Sequence, residues 1–220
     1  MASFFNLTLD TTAPAGLTLK LNNGAAYATS TAVTATIGLT DSVTTGYQMK
    51  IWGVAGAATE SEAAWATFAK SKAITLTTGD GQKTVSIKVR DDVGNETATV
   101  TAKITLDTAV PVVTITGPDK SKISKVATFN VSAFSFSANA DFEEYKIKVV
   151  PSESSLENAG TQIPVTAGST NTSGTAGGYK KDTAINVTIN GADLEAASAG
   201  DGVKIVKVFV KNAAGTWSVA

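Results

Sequence analysis

This chain repeats itself, and no other property limits its possible folds as sharply. Asp10-Thr11-Thr12-Ala13-Pro14 returns as Asp107-Thr108-Ala109-Val110-Pro111 at an offset of 97, and Tyr47-Gln48-Met49-Lys50-Ile51 returns as Tyr145-Lys146-Ile147-Lys148-Val149 at an offset of 98. Further along, Gly81, Lys83, Val85 and Gly94 meet Gly202, Lys204, Val206 and Gly215 at an offset of 121. Two similar copies imply two similar units, and 220 residues suit two domains of about 100 residues each. The jump from 98 to 121 places an insertion of 23 residues in the second copy, between Val150 and Gly202. Its expected position is the Gly/Ser/Thr-rich run 166–178, a flexible loop by composition.

Within each copy the apolar period is two. Leu17, Leu19 and Leu21 alternate with polar residues, as do Val33, Ala35 and Ile37, then Val85, Ile87 and Val89. The second copy repeats the pattern with Val113 and Ile115, Phe129 and Val131, Ile147 and Val149, and Ile185, Val187 and Ile189. Such alternation marks half-buried antiparallel strands. Asp80-Gly81 and Asn22-Asn23-Gly24 read as hairpin turns. The apolar phase slips by one between Ala133 and Phe134, which predicts a β-bulge. One stretch reads as helical, Glu60 to Lys70, with Trp65, Phe68 and Ala69 on one face and Thr59 or Ser61 as cap. Thr-rich, Gly-punctuated and only 17% charged, the chain is expected to be all-β.

Composition removes several chemistries. The chain has no histidine and no cysteine, which excludes Ser-His-Asp and Cys-His catalysis, zinc fingers and disulfide staples. With 18 Lys+Arg against 19 Asp+Glu it lacks the basic surplus that phosphate binding needs, so no nucleic-acid partner is expected. No run of 18 apolar residues occurs, and the start at Met1 has no basic n-region, so neither a membrane span nor a secretory signal is expected.

Seven short strands per ~100 residues with frequent turns describe an immunoglobulin-like sandwich. Asp10-Thr11-Thr12-Ala13-Pro14, Trp65, Gly79-Asp80-Gly81-Gln82-Lys83-Thr84-Val85 and Arg90-Asp91-Asp92-Val93-Gly94-Asn95-Glu96-Thr97 together resemble the bacterial Ig-like repeat. That repeat occurs in bacterial surface proteins and in virion proteins of tailed bacteriophages. The resemblance covers about residues 10–107 well and 107–220 more loosely, where Asn212-Ala213-Ala214-Gly215-Thr216-Trp217-Ser218 keeps the glycine turn but not the Asp-x-x-Gly-Asn pattern. The resulting expectation is an all-β chain of two tandem immunoglobulin-like β-sandwich domains, 10–106 and 107–220, preceded by an N-terminal strand, 1–9.

That strand is the sharpest clue to function. In the first copy the turn at Gly94 is followed by a final strand reaching Leu106, whereas after Gly215 the second copy has only Trp217 to Ala220. Meanwhile Asn6-Leu7-Thr8-Leu9-Asp10-Thr11 resembles Lys103-Ile104-Thr105-Leu106-Asp107-Thr108. The segment is expected to pair within a sandwich, and residues 3–9 of one subunit to complete the second domain of a neighbour by strand addition, head to tail. Phe4, Phe5, Leu7 and Leu9 are the candidate interaction residues. The alternative is a six-stranded second sandwich whose edge is covered by the insertion loop.

Other candidate chemistry is read alongside its plainer explanation. Glu143-Glu144 and Asp91-Asp92 point to opposite faces of their strands and do not converge as a glycosidase pair would. Asp91, Asp92, Asn95, Glu96 and Asp107 offer oxygen ligands for calcium, but also fit ordinary turn chemistry. Trp52, Trp65, Trp217, Tyr47 and Tyr179 fit core anchors or edge covers before a sugar platform. Phe134 and Phe136 fit core packing before a docking stripe; Lys120, Lys122, Lys125, Lys180 and Lys181 fit solvated edges. No phosphate cradle or cofactor is implied.

The primary expectation is therefore a non-enzymatic structural protein of a bacteriophage virion, made in the host cytoplasm. It would serve as a capsid or tail decoration or assembly component that docks through β-edges and loops onto other virion proteins and onto copies of itself. The alternative is a glycan-binding or host-cell adhesion module with weak cell-surface contact. A carboxylate hydrolase is the third reading.

Overall fold

The computed structural model describes residues 5–126, 131–163 and 178–219. The chain divides into two compact units, Met1–Thr108 and Ala109–Ala220. In both, the regular structure is almost wholly strand, as the alternating pattern requires.

The first unit contains β1 (Thr18–Leu21), β2 (Tyr27–Ala28), β3 (Ala32–Gly38), β4 (Gln48–Trp52), β5 (Ala66–Thr67), β6 (Ser71–Thr75), β7 (Gly81–Arg90) and β8 (Val100–Leu106). They form one sheet of order β1-β3-β6 and another of order β2-β8-β7-β4-β5, in which β2 runs parallel to β8 and the other pairings are antiparallel. Every second residue of β1, β3, β7 and β8 faces the interior. Leu19, Leu21, Val33, Ala35, Ile37, Val85, Ile87, Val89, Ile104 and Leu106 accordingly form one core with Met49 and Leu76. The predicted turns at Asn22-Asn23-Gly24 and Asp80-Gly81 are present but are not hairpins, because each joins strands of different sheets. Asn22 Oδ1 accepts from the Thr34 N–H (2.9 Å), and Asp80 Oδ1 accepts from the N–H and hydroxyl of Thr108 (2.9 and 2.8 Å). Their side chains therefore tie strand crossings together.

The second unit contains β9 (Val113–Thr116), β10 (Val131–Ala138), β11 (Glu144–Val150), β12 (Thr161–Gln162), β13 (Ile185–Asn190), α1 (Gly191–Ala197) and β14 (Ile205–Lys211). Its sheets run β13-β10-β9 and β12-β11-β14, all antiparallel. Its core is more aromatic than the first. The Phe136 and Tyr145 rings meet edge to face at 5.1 Å, and Phe142 stacks on Tyr179 at 4.9 Å.

Three expectations are corrected. Residues 60–70 form no helix: a turn ends at Glu62, and Ala66–Thr67 pairs instead with Met49 and Gln48 of β4. The Glu62 carboxylate accepts from the N–H groups of Ala58 and Thr59 (2.8 and 3.0 Å), so the capping geometry runs opposite to the predicted one. An open edge on β4 outweighed local helix propensity. The bulge at Ala133–Phe134 is absent too, since β10 pairs with β13 without interruption from Val131 to Phe136. The inward residue is Ser132, not Val131. Its hydroxyl is satisfied by Asp119 Oδ1 and the Lys120 carbonyl (3.2 and 2.8 Å), and a polar residue on the inner face mimicked a phase slip. Finally, Gln48 lies opposite Arg90 as Glu144 lies opposite Lys211, so the match between the two copies here is offset by 96, not 98. A slip of two residues leaves every side chain on the same face, which is why alternation cannot detect it.

Extra length in the second unit includes α1, where the first unit has only the short link from β6 to β7. Nearly all of the predicted insertion, 166–178, lies outside the described residues, as does Phe129.

Candidate functional site

The turn closing β7 and the turn closing β14 are built alike. The Asp91 side chain accepts from the N–H groups of Val93 and Asn95, and Asn212 Oδ1 accepts from the Thr216 N–H at 2.8 Å. One step on, the Thr97 hydroxyl accepts from the Val89 N–H and the Ser218 hydroxyl from the Val210 N–H, both at 3.1 Å. The offset of 121 is therefore structural as well as sequential. Beyond these turns the two units diverge. In the first unit β8 lies along β7, placing Leu106 opposite Gly81 and Ile104 opposite Lys83. In the second, among the described residues, the outer edge of β14 carries only the isolated Lys211–Trp217 bridge.

Where β8 would lie, the second unit has a groove of about 610 Å³. Ile115 and Ile123 line one flank, Phe134 the floor and Val206 and Val208 the other side, while Lys120, Lys122 and Lys204 stand among the polar lining residues. The counterpart residues show what is missing. Leu19 of β1, opposite Ile37, is 8% exposed beneath β8, whereas Ile115 of β9, opposite Phe136, is 46% exposed. Gly202 and Lys204 are the counterparts of Gly81 and Lys83, and both line this groove. Val203, between them, is 96% exposed. The groove is lined mainly by apolar side chains, with Lys120, Lys122, Lys204 and Asp201 among them, and it borders β14 and the residues just before it, which pair with no other strand on that side among the described residues.

Of the predicted interaction residues, Phe5, Leu7 and Leu9 are 85%, 87% and 86% exposed and belong to no strand; Phe4 lies outside the described residues. Among the described residues, 5–9 pair with no strand. The segment is held at its root, where the Asp10 carbonyl accepts from Asn95 Nδ2 at 3.3 Å and Asp10 Oδ1 accepts from the Thr12 N–H at 2.9 Å.

Asp91, Glu96 and Glu144 serve as a turn cap and ion-pair partners, while Asp92 and Glu143 are exposed. Asp91 is buried as a turn cap, and the hydrogen bonds from Asn95, Val93 and Gly94 hold its carboxyl below the usual range against the desolvation that opposes them. Glu96 lies 3.7 Å from Lys88, which also binds Glu60 at 2.9 Å. Among the described residues no three acidic side chains gather as a metal site. Glu144 is buried against Lys211 while Glu143 is exposed, on opposite faces as expected.

Trp52 ends β4 half-buried, and the other two tryptophans lie beneath cations. Trp65 lies under Arg90 (4.3 Å) and Lys50 (5.4 Å), and Trp217 under Lys146 (4.5 Å) and Lys211 (5.2 Å). Phe136 is in the core and Phe134 is half-buried in the groove. Lys125 pairs with Glu195 (3.6 Å), Lys180 with Asp141 (2.7 Å) and Lys181 with Asp182 (3.9 Å).

Sequence reasoning pointed to the second unit as the receiving side but did not identify the residues that line it, Ile115, Ile123 and Val206. The available signal was Gly202-Val203-Lys204, whose counterparts Gly81 and Lys83 sit beside β8.

No protein-family model matches the chain, and no curated protein matches it. Among solved structures, chitinase ChiA74 from Bacillus thuringiensis is similar at 12% identity and a TM-score of 0.31, over 92% of this chain and 30% of that one. Dimeric latent PorU from Porphyromonas gingivalis is similar at 14% identity and a TM-score of 0.29, over 97% of this chain and 20% of that one. The chain thus spans less than a third of either, and likeness at this level carries no argument about function.

Proposed function

We propose that the chain is a non-enzymatic structural protein that assembles by sheet-edge docking, as a component of a bacteriophage virion. The observation that carries the docking reading is the contrast between β7, paired on both sides, and β14, which among the described residues is paired with a strand on one side only and borders an apolar groove. An unpaired edge presents a row of N–H and C=O groups that accept another strand. The virion reading rests on the resemblance of residues 10–107 to bacterial Ig-like repeats. A non-enzymatic role is supported by Asp91, Glu96 and Glu144, which serve as a turn cap and ion-pair partners. The adhesion reading draws no comparable support, because Trp65 and Trp217 already have cations over their faces.

The test is immunogold electron microscopy on particles produced by the encoding genome, with an antibody against this chain. Regularly spaced label on capsid or tail is expected. A chain abundant in the lysate but absent from purified particles overturns the virion reading.

A further inference from the structure

We infer that the groove beside β14 takes residues 5–9 of a second copy of this chain as an added antiparallel strand, joining copies head to tail. This deepens the proposed function and rests on its reading of β14 as a docking edge.

The occupant is identified by the repeat itself. In the first unit the strand that fills the corresponding place ends Lys103-Ile104-Thr105-Leu106-Asp107-Thr108, and Ile104 and Leu106 are buried in its core at 2% and 1% exposure. The N-terminal segment reads Asn6-Leu7-Thr8-Leu9-Asp10-Thr11, apolar at the same two positions, yet Leu7 and Leu9 stand in solvent. Among the described residues, a segment with that pattern and a strand edge beside the matching groove thus both lack a strand partner. A neighbouring copy satisfies both.

The register follows from β7 and β8. Gly81 opposite Leu106 and Lys83 opposite Ile104 translate to Gly202 opposite Leu9 and Lys204 opposite Leu7. Leu7 and Leu9 would then enter the groove between Ile115 and Val206, and Phe5 would continue the inward row. Thr8 would face outward opposite Val203, the counterpart of Gln82, which lies opposite Thr105. The segment is uncharged from Phe5 to Leu9, so it meets the rim lysines without repulsion. Donor and acceptor are different parts of the chain, so each copy both gives and receives a strand.

The register gives the test. The chain has no cysteine, so Thr8→Cys with Val203→Cys introduces the only two thiols. Both positions are exposed, which leaves the fold of each copy undisturbed. Under mild oxidation this variant should form covalent oligomers, reversed by reductant. Asn6→Cys with Val203→Cys, two residues out of register, should form at least tenfold fewer, because opposed Cα atoms beyond about 7 Å cannot be bridged. In light scattering the mass of the cysteine-free chain should rise with concentration. Leu7→Asp with Leu9→Asp should remain monomeric with an unchanged circular dichroism spectrum, and a synthetic peptide of residues 4–11 should bind that monomer. Absence of cross-linking, disulfides formed only within one chain, or equal cross-linking in both registers would overturn the proposal. Labelled particles without cross-linking would reject this partner and leave the virion reading standing; cross-linked oligomers with no label on particles would support this partner and overturn the virion reading.

Discussion

Two glycines in the same loop allow a steric contact to be separated from backbone strain. Gly53 and Gly56 follow β4 with φ of 81° and 82°, so both occupy the left-handed region. A Cβ on Gly56 meets nothing within 4 Å, whereas on Gly53 it would stand 2.1 Å from the Thr84 carbonyl oxygen and 3.3 Å from Val85 Cα. Gly56→Ala therefore carries only the left-handed penalty, about 1 kcal/mol once the stiffer unfolded chain is counted. Gly53→Ala adds a displacement of β7 by about 1 Å. That weakens the neighbouring pairing of Trp52 with Ser86 and of Ile51 with Ile87, and it disturbs Val85, which is fully buried. Two hydrogen bonds at about 1 kcal/mol each and a packing strain of about 1–2 kcal/mol bring the total to about 4–5 kcal/mol. At roughly 4–8 °C per kcal/mol for a domain of this size, Gly56→Ala should lower the melting temperature of the first unit by about 4–8 °C and Gly53→Ala by about 16 °C or more. The assay is thermal unfolding by tryptophan fluorescence in a Trp217→Phe background, where the remaining Trp52 and Trp65 both lie in the first unit. Equal losses for the two variants, within about 0.5 kcal/mol, would refute the steric argument.

Acid should unfold the protein in a defined window. Asp119 and Asp141 are held below the usual carboxylate range, first by the Ala133 N–H and by Lys180 respectively, and Glu62 first by the Thr59 N–H. A lowered folded-state pKa gives stability that is complete above the unfolded value of about 4 and lost as pH falls through the folded value. With no histidine to titrate, melting temperature should be flat from about pH 5 to 8 and drop below about pH 4; a step near pH 6 would contradict this. Leu106→Ala, at a side chain 1% exposed, should destabilise the first unit by about 2–5 kcal/mol in urea unfolding. Loss of much less would mean β8 does not seal that core. Asn190→Ala removes the cap on α1, where Oδ1 accepts from the Ala192 N–H at 2.8 Å, and should lower the stability of the second unit by about 1 kcal/mol. An unchanged denaturation curve would show that α1 is held by packing alone.

Strand positions were legible because burial on one face leaves a period of two in the chain, and Val33, Ala35, Ile37 and Val85, Ile87, Val89 carry it without interruption. Legibility failed where a residue answers to something distant in sequence. Ser132 faces inward because Asp119 and Lys120 satisfy it, so it reads as a break in a pattern that is in fact continuous. Glu60 to Lys70 has the composition of a helix, yet β4 offered an edge and Arg90 a cation for Trp65. The real helix was signalled by Asn190 followed by Asp193, Glu195 and alanines, a weak pattern beside a strong strand.

The site divides the same way. That Leu7 and Leu9 match Ile104 and Leu106 is contained in the sequence, because a repeat is visible without any folding. That Ile115 is exposed where Leu19 is buried, and that β14 borders a groove at Gly202 and Lys204, depends on which strands become neighbours. Alternation specifies which face of a strand is buried, but every strand in a sheet alternates alike, so it does not specify the partner. Pairing and edge are properties of the assembled sheets, and they come into being only when the strands meet.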